Sequence, residues 1–134
     1  MAAVFEPPSN EMDLSSVAES YNKQGKTARA PAKIAGKSGI EHKFALAVLE
    51  AGEPRVVADT ALSVSDVDET RVLAFYVKVF DVGAANSILC VAPRLNPKAK
   101  LLANQYGIVV LESEEPRKLV PLLVNAANEA LSKR

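Results

Sequence analysis

Two charged side chains interrupt the apolar runs of this sequence, Asp59 in RVVADTAL and Lys78 in RVLAFYVKVF, and they are the residues best placed to do chemistry. An unpaired charge buried in such a run costs on the order of several kcal/mol, so each needs a partner or a task. On neighbouring strands, the Lys78 ammonium can position a water and stabilise a pentacovalent phosphate. Asp59, joined by Glu41 from the preceding helix, would supply oxygens for a divalent cation such as magnesium. The other reading of Asp59 and Lys78 is a structural ion pair. Asp81 lies three residues beyond Lys78, which puts it on the opposite face of a regular strand.

His42 is the single histidine, and no Cys or His cluster accompanies it, so a zinc site is not expected. Ser38 and Glu41 have the spacing of a helix-capping box, which accounts for Glu41 without catalysis and leaves His42 a surface or capping residue. Cys90 has no partner for an internal disulfide and reads as a small buried hydrophobe, in keeping with a reducing, cytoplasmic compartment. DVGAAN has one glycine and opens no helix, so neither a Walker loop nor a dinucleotide fingerprint is present. A nucleophile elbow is also missing. Nucleotide-cofactor and serine-hydrolase chemistry therefore fall behind phosphodiester-related chemistry.

The elements that would position these residues follow from hydrophobic periodicity. At 134 residues and 49% apolar composition the chain fits one domain with a proper core, and no stretch approaches the roughly 20 apolar residues a bilayer span requires. MAAVFEPPSN lacks the features of a signal peptide. MDLSSVAESY predicts a short helix capped by Asp13 or Ser15, with Val17 on its buried side. SGIEHKFALAVLEAG predicts an amphipathic helix through Ile40, Phe44, Ala47, Val48 and Ala51, stopped by Gly52. EPRVVADTALSV reads as a strand, SDVDET as a turn, and RVLAFYVKVF as a central strand covered on both faces. SILCVAP is a third strand. PKAKLLANQY is a helix with Asn96 as its cap and Pro97 at its first position, and GIVVLES is a fourth strand in a parallel crossover unit. EPRKLVPLLVNAANEALSKR closes the chain as an amphipathic helix.

Charge is segregated along the first 37 residues. Glu6, Glu11, Asp13 and Glu19 come first without a base, followed by Lys23, Lys26, Arg29, Lys33 and Lys37 without an acid, while the net charge of the whole chain is zero. Residues 1–37 read as a flexible arm, acidic and then basic, ahead of a single α/β domain over 38–134. Its five cations would neutralise phosphates of a nucleic acid, or simply keep a linker soluble.

The order of these elements resembles the restriction-endonuclease-like superfamily, in its Mrr-type and archaeal resolvase-like branches. The likeness spans about Ser38 to Ser113, through SGIEHKFALAVLEAG, YVKVF and ILCVAPRLNPKAKLLANQYGIVVLES. It implies an α/β three-layer sandwich with a mixed four-stranded sheet. It also implies a magnesium-dependent site built from an acid on one strand and an acid or glutamine two residues before a lysine on the next. Asp59 matches the first acid and Lys78 the lysine, but Tyr76 stands where the second acid belongs, and a phenol is no carboxylate ligand. Three functions stay open: a nucleic-acid-associated protein with a degenerate, regulatory or architectural nuclease core, an active metal-dependent DNA nuclease, and a protein-interaction subunit. A homodimer is compatible with each.

Overall fold

The computed structural model of the chain describes residues 12–133. Helix α1 (Ser15–Lys23) leads into strand β1 (Thr27–Arg29) and strand β2 (Ala32–Ala35). Strands β3 (Glu41–Phe44), β4 (Leu46–Glu50) and β5 (Glu53–Leu62) follow, then helix α2 (Glu69–Val82), strand β6 (Asn86–Ala92), helix α3 (Pro97–Gln105) and strand β7 (Val109–Glu112). A 3-10 turn at Pro116–Lys118 precedes helix α4 (Leu119–Ser132). The main sheet is mixed and five-stranded, in the order β1-β4-β5-β6-β7, and β2 with β3 forms a separate two-stranded ladder. β1, β4 and β5 pair antiparallel, whereas β5, β6 and β7 run parallel.

Side-chain alternation along β5 sorts the core into two compartments. Val57 and Ala61 face α2 and α3, together with Leu89 and Val91 of β6, Val72, Phe75 and Val79 of α2, and Ala99 and Ala103 of α3. Val56 and Ala58 face the other way, with Ile88, Cys90, Leu14, Val17 and Tyr21 from the α1 region, and Leu119, Leu123 and Ala127 from α4. Both faces of β5 and β6 are thereby covered, which explains their continuous apolar sequence. The three layers match the expected sandwich, with one strand more in the sheet than expected. Among the described residues no helix is long and apolar enough to cross a membrane.

Three expectations are corrected. The segment SGIEHKFALAVLEAG is a turn and the strands β3 and β4, not a helix. Its Gly52 was a legitimate left-handed signal, but here it serves a two-residue hairpin turn joining β4 to β5, in which Ala51 (φ 54°) and Gly52 (φ 80°) are both left-handed. RVLAFYVKVF is helix α2, not a strand. Asp68 caps it by accepting from the Thr70 amide at 3.0 Å, and left-handed Gly83 closes it. Its buried residues Val72, Phe75, Val79 and Val82 follow helical spacing, while Leu73, Val77 and Phe80 are exposed apolar residues. Those exposed side chains filled the gaps in the pattern and made it look like a strand covered on both faces.

The third correction concerns the basic part of the arm, which is folded. β1 pairs with β4 and β2 with β3 in one continuous register, Arg29 opposite Ala47 and Ala32 opposite Phe44. Together they make a single bent hairpin, rooted in the sheet edge and folded at its tip over α2. α1 is tied down as well: Tyr21 donates its hydroxyl to Asn128 Oδ1 at 2.8 Å, and Val17 is buried as expected. Asp13 accepts from the Ser15 amide and hydroxyl at the start of α1. Glu6 and Glu11 lie outside the described residues.

A left-handed conformation costs a residue with a Cβ about 1–2 kcal/mol, less for asparagine. Ala51→Asn, which creates the Asn-Gly pair favoured in such turns, should therefore raise unfolding stability by roughly 1 kcal/mol in urea titration. Leu123→Ala, at a fully buried α4 position, should lower it by about 2–5 kcal/mol.

Candidate functional site

Asp59 projects from β5 toward α2 because it shares the face of Val57 and Ala61, and Lys78 reaches it from α2. The two side chains form an ion pair and are 24% and 25% exposed, so the pair sits at the wall of a cleft and not inside a sealed core. Lys78 also donates to the Lys43 carbonyl at 2.6 Å, and its ammonium stands 4.8 Å from the centroid of the Phe44 ring. One cation thereby joins α2 to β5 and to the hairpin, through a carboxylate, a carbonyl and a ring face. Two helical turns earlier, Arg71 donates to the Thr60 carbonyl at 2.8 Å.

These residues line a cleft of about 540 Å³ whose walls include Asp13, Pro31, Lys43, Asp59, Arg71 and Lys78. The pairing of Asp59 with Lys78, expected from sequence, is present, although the lysine arrives from a helix. Glu41 is not part of it. It is exposed on β3, opposite Ala35, and does not line the cleft. A magnesium site of Asp59 and Glu41 therefore does not fit, and among the described residues no three His, Cys, Asp or Glu side chains group to hold a metal ion. Tyr76 is also elsewhere. Its ring stacks on Tyr106 at 3.9 Å between centroids and 9° between planes, beside a second cavity of about 470 Å³.

The basic residues separate into a helix and a hairpin. Lys23 is exposed on α1 and paired with Glu19 at 3.4 Å, and Lys26 follows in the turn. Arg29 and Lys33 are exposed on β1 and β2. Lys33 lies directly opposite Lys43 in the β2–β3 ladder, so the two side chains share the outward face of the hairpin, the face away from Ala32 and Phe44. Lys37 sits in the hairpin turn with its side chain against Gly83 at the α2 C-terminus, where a cation is favourable. Arg71 and Lys43 went unnoticed in the sequence, since only a helical reading of RVLAFYVK puts Arg71 on the face of Lys78.

Asp81 is the most engaged acid of α2. It accepts from the Ser38 amide at 3.0 Å, the Ser38 hydroxyl at 2.6 Å and His42 Nε2 at 2.7 Å, while its own carbonyl accepts from the Lys37 amide at 2.9 Å. The Ser38 hydroxyl and then His42 hold its carboxyl down to about 2. Ser38 and His42 are thus anchors of the hairpin, not helix-capping residues. Cys90 is buried on the opposite face of the sheet, and burial, aided by the charge of Asp59, pushes its thiol up to about 12. Such a thiol is inert.

No protein-family model and no curated protein matches the sequence. Solved structures that share the fold include two of low sequence identity. AF1548, a protein of unknown function, superposes with a TM-score of 0.56 at 16% identity over 72% of this chain and 54% of its own. Protein VC1899 from Vibrio cholerae gives 0.59 at 14% identity over 87% of this chain and 32% of its own. The chain thus spans about half of the first protein and a third of the second.

The depressed Asp81 carboxyl makes a signed prediction. A folded-state pKa below the usual 3.8 contributes stability that is present above about 3.8 and is lost as pH falls through about 2. Asp81→Asn should therefore unfold at lower urea than the parent above pH 4, and the gap should narrow as pH falls toward 2.

Proposed function

We propose that this chain is a nucleic-acid-associated protein with a restriction-endonuclease-like core whose catalytic site is degenerate, so that it binds without cutting. The observation that carries the reading is the cleft where the Asp59–Lys78 pair, about a quarter exposed, meets Arg71 and the lysine-bearing hairpin. An acid on the central strand β5 met by a lysine keeps the charge pair of the nuclease pattern, although the lysine comes from helix α2 and not from the next strand. Tyr76, where the second acid would stand, is stacked on Tyr106, away from the cleft. The ammonium is committed to Asp59 and to the Lys43 carbonyl, an arrangement suited to holding a hairpin in place and, with Arg71 on the cleft wall and Lys33 on the outer face of the hairpin, to meeting a phosphate backbone. Its free, buried cysteine agrees with a cytoplasmic location.

A second reading, a protein-interaction subunit, is favoured by one observation. Leu73, Val77 and Phe80 of α2 and Leu101 of α3 are exposed, Phe80 by 71%. Apolar side chains grouped on a surface often mark a docking face.

Fluorescence anisotropy with labelled duplex and single-stranded DNA across a salt series separates the readings. The nucleic-acid reading expects affinity that falls with salt, and loss of Lys33 or Lys43 should each reduce the logarithmic slope by about 1. Binding no better than to a neutral polymer at low salt would reject it. Incubation with magnesium or manganese should leave the DNA intact. Cleavage that disappears in Lys78→Ala would instead establish an active nuclease. Pulldown of one protein that survives nuclease treatment and is lost on Phe80→Asp would favour the interaction subunit.

A further inference from the structure

Lys78 and Asp81 lie three residues apart on α2, and both hold the same short strand. Asp81 takes His42 and, through the turn, Ser38, while Lys78 takes the carbonyl of Lys43 and the ring face of Phe44. The hairpin tip is anchored besides by the Lys37 amide on the Asp81 carbonyl and by Ile34, half-buried against the core. Its ladder of β2 and β3 is short and separate from the main sheet, Ile40 at the turn is 61% exposed, and Glu41 and Lys43 face outward. Short two-stranded ribbons are marginal alone, so these side-chain holds add to the few contacts that keep the tip on α2.

Gly36 shows how closely the tip is fitted. A Cβ there would lie 1.9 Å from Asp81 Oδ2, and its φ is outside the left-handed region, so the glycine is required by the approach of the carboxylate and not by backbone conformation. The turn is tied further by the Gly36 amide on the Ile40 carbonyl at 2.8 Å and the Ile40 amide on the Ser38 hydroxyl at 3.2 Å. Chain continuity carries this local arrangement to the cleft. β3 runs from His42, inside the Asp81 cluster, to Lys43 and Phe44, which hold the ammonium of Lys78 and line the cleft wall.

We propose that Asp81, Ser38, His42 and Gly36 form a latch that closes the hairpin tip on α2 and thereby regulates how far Lys78 is available to a phosphate in the cleft. With the latch shut, Lys78 is occupied by Asp59, the Lys43 carbonyl and the Phe44 ring. Opening it loosens β3 as far as Lys43 and withdraws the carbonyl, while Phe44, fully buried against Phe75, keeps its ring in place, which leaves an ammonium shared with Asp59 and the ring face beside a wider cleft. Asp81 is then a positioning residue that acts on Lys78 through β3. This regulation rests on reading the cleft as a nucleic-acid site, whereas the latch itself does not.

Two variants open the latch from opposite sides. Asp81→Asn removes the charged acceptor, and Gly36→Ala displaces the carboxylate without changing any charge. Amine acetylation read by mass spectrometry reports Lys78 directly, with exposed Lys98 as internal reference. Loss of a hydrogen bond to a charged group corresponds to about a tenfold change in a local equilibrium, so both variants should label Lys78 roughly tenfold faster than the parent. Hydrogen exchange should quicken over 36–44 and stay unchanged in β5 and β6, which shows that the core is folded. Gly36→Ala should bind a short fluorescent DNA duplex more tightly at low salt, and adding Lys78→Ala should cancel the gain. Ser38→Ala gives a weaker opening if either variant fails to fold. Unchanged Lys78 labelling while 36–44 exchanges faster would overturn the proposal. Tighter binding that survives Lys78→Ala would overturn it too. Faster labelling in proteins that bind no DNA, the parent included, would uphold the latch and reject the nucleic-acid reading.

Discussion

An ammonium group cannot be left among apolar side chains without oxygen around it, and the structure around α2 is arranged to meet that constraint at Lys78. The solution uses three separately folded pieces. β5 supplies the Asp59 carboxylate, the hairpin supplies the Lys43 carbonyl and the Phe44 ring, and α2 supplies the lysine. Partial exposure, about a quarter of each side chain, lowers the desolvation cost of the pair below that of a sealed site, while the carbonyl bond gives it direction. A pair of this kind adds little to global stability by itself. Its consequence is geometric: it fixes where the hairpin crosses α2, and so the shape of the cleft.

α2 divides its surface among three tasks. Val72, Phe75, Val79 and Val82 pack on the sheet, Arg71, Lys78 and Asp81 hold β5 and the hairpin by polar contacts, and Leu73, Val77 and Phe80 face outward. The rest of the fold supplies a stiff support. β5 and β6 are covered on both faces by buried side chains, so Asp59 and the Thr60 carbonyl are fixed points, whereas the hairpin tip is held mainly by side chains. The rigid wall and the latched wall of the cleft therefore differ in what it takes to move them.

How much of this was legible in the sequence depended on whether local signals were unambiguous. β5, β6, α3, β7 and α4 could be read because turn chemistry and period agreed, as at Asn96, which caps α3 by accepting from the Ala99 amide at 2.8 Å. The stretch 38–51 failed because Phe44, Ala47 and Val48 fit both a helical and an extended period, and the left-handed residue at 52 suits a helix end as well as a hairpin. α2 failed because apolar residues without a covering layer are indistinguishable in sequence from core. Asp59 and Lys78 were paired correctly despite that error, since any arrangement bringing the two runs together must match their charges. Asp81 was misjudged with the strand. Strand alternation separated it from Lys78, whereas one turn of helix puts both against β3.

We propose that the cleft between β5, α2 and the hairpin meets a nucleic acid through Lys78 and its neighbours. The most direct measurement is a titration of isotope-labelled protein with a short DNA duplex, followed by the backbone and lysine side-chain resonances in NMR. The account predicts that the largest shifts fall on Lys33, Lys43, Asp59, Arg71 and Lys78 and diminish as salt is raised. Shifts gathered instead on Leu73, Val77 and Phe80, or none at low salt, would contradict it.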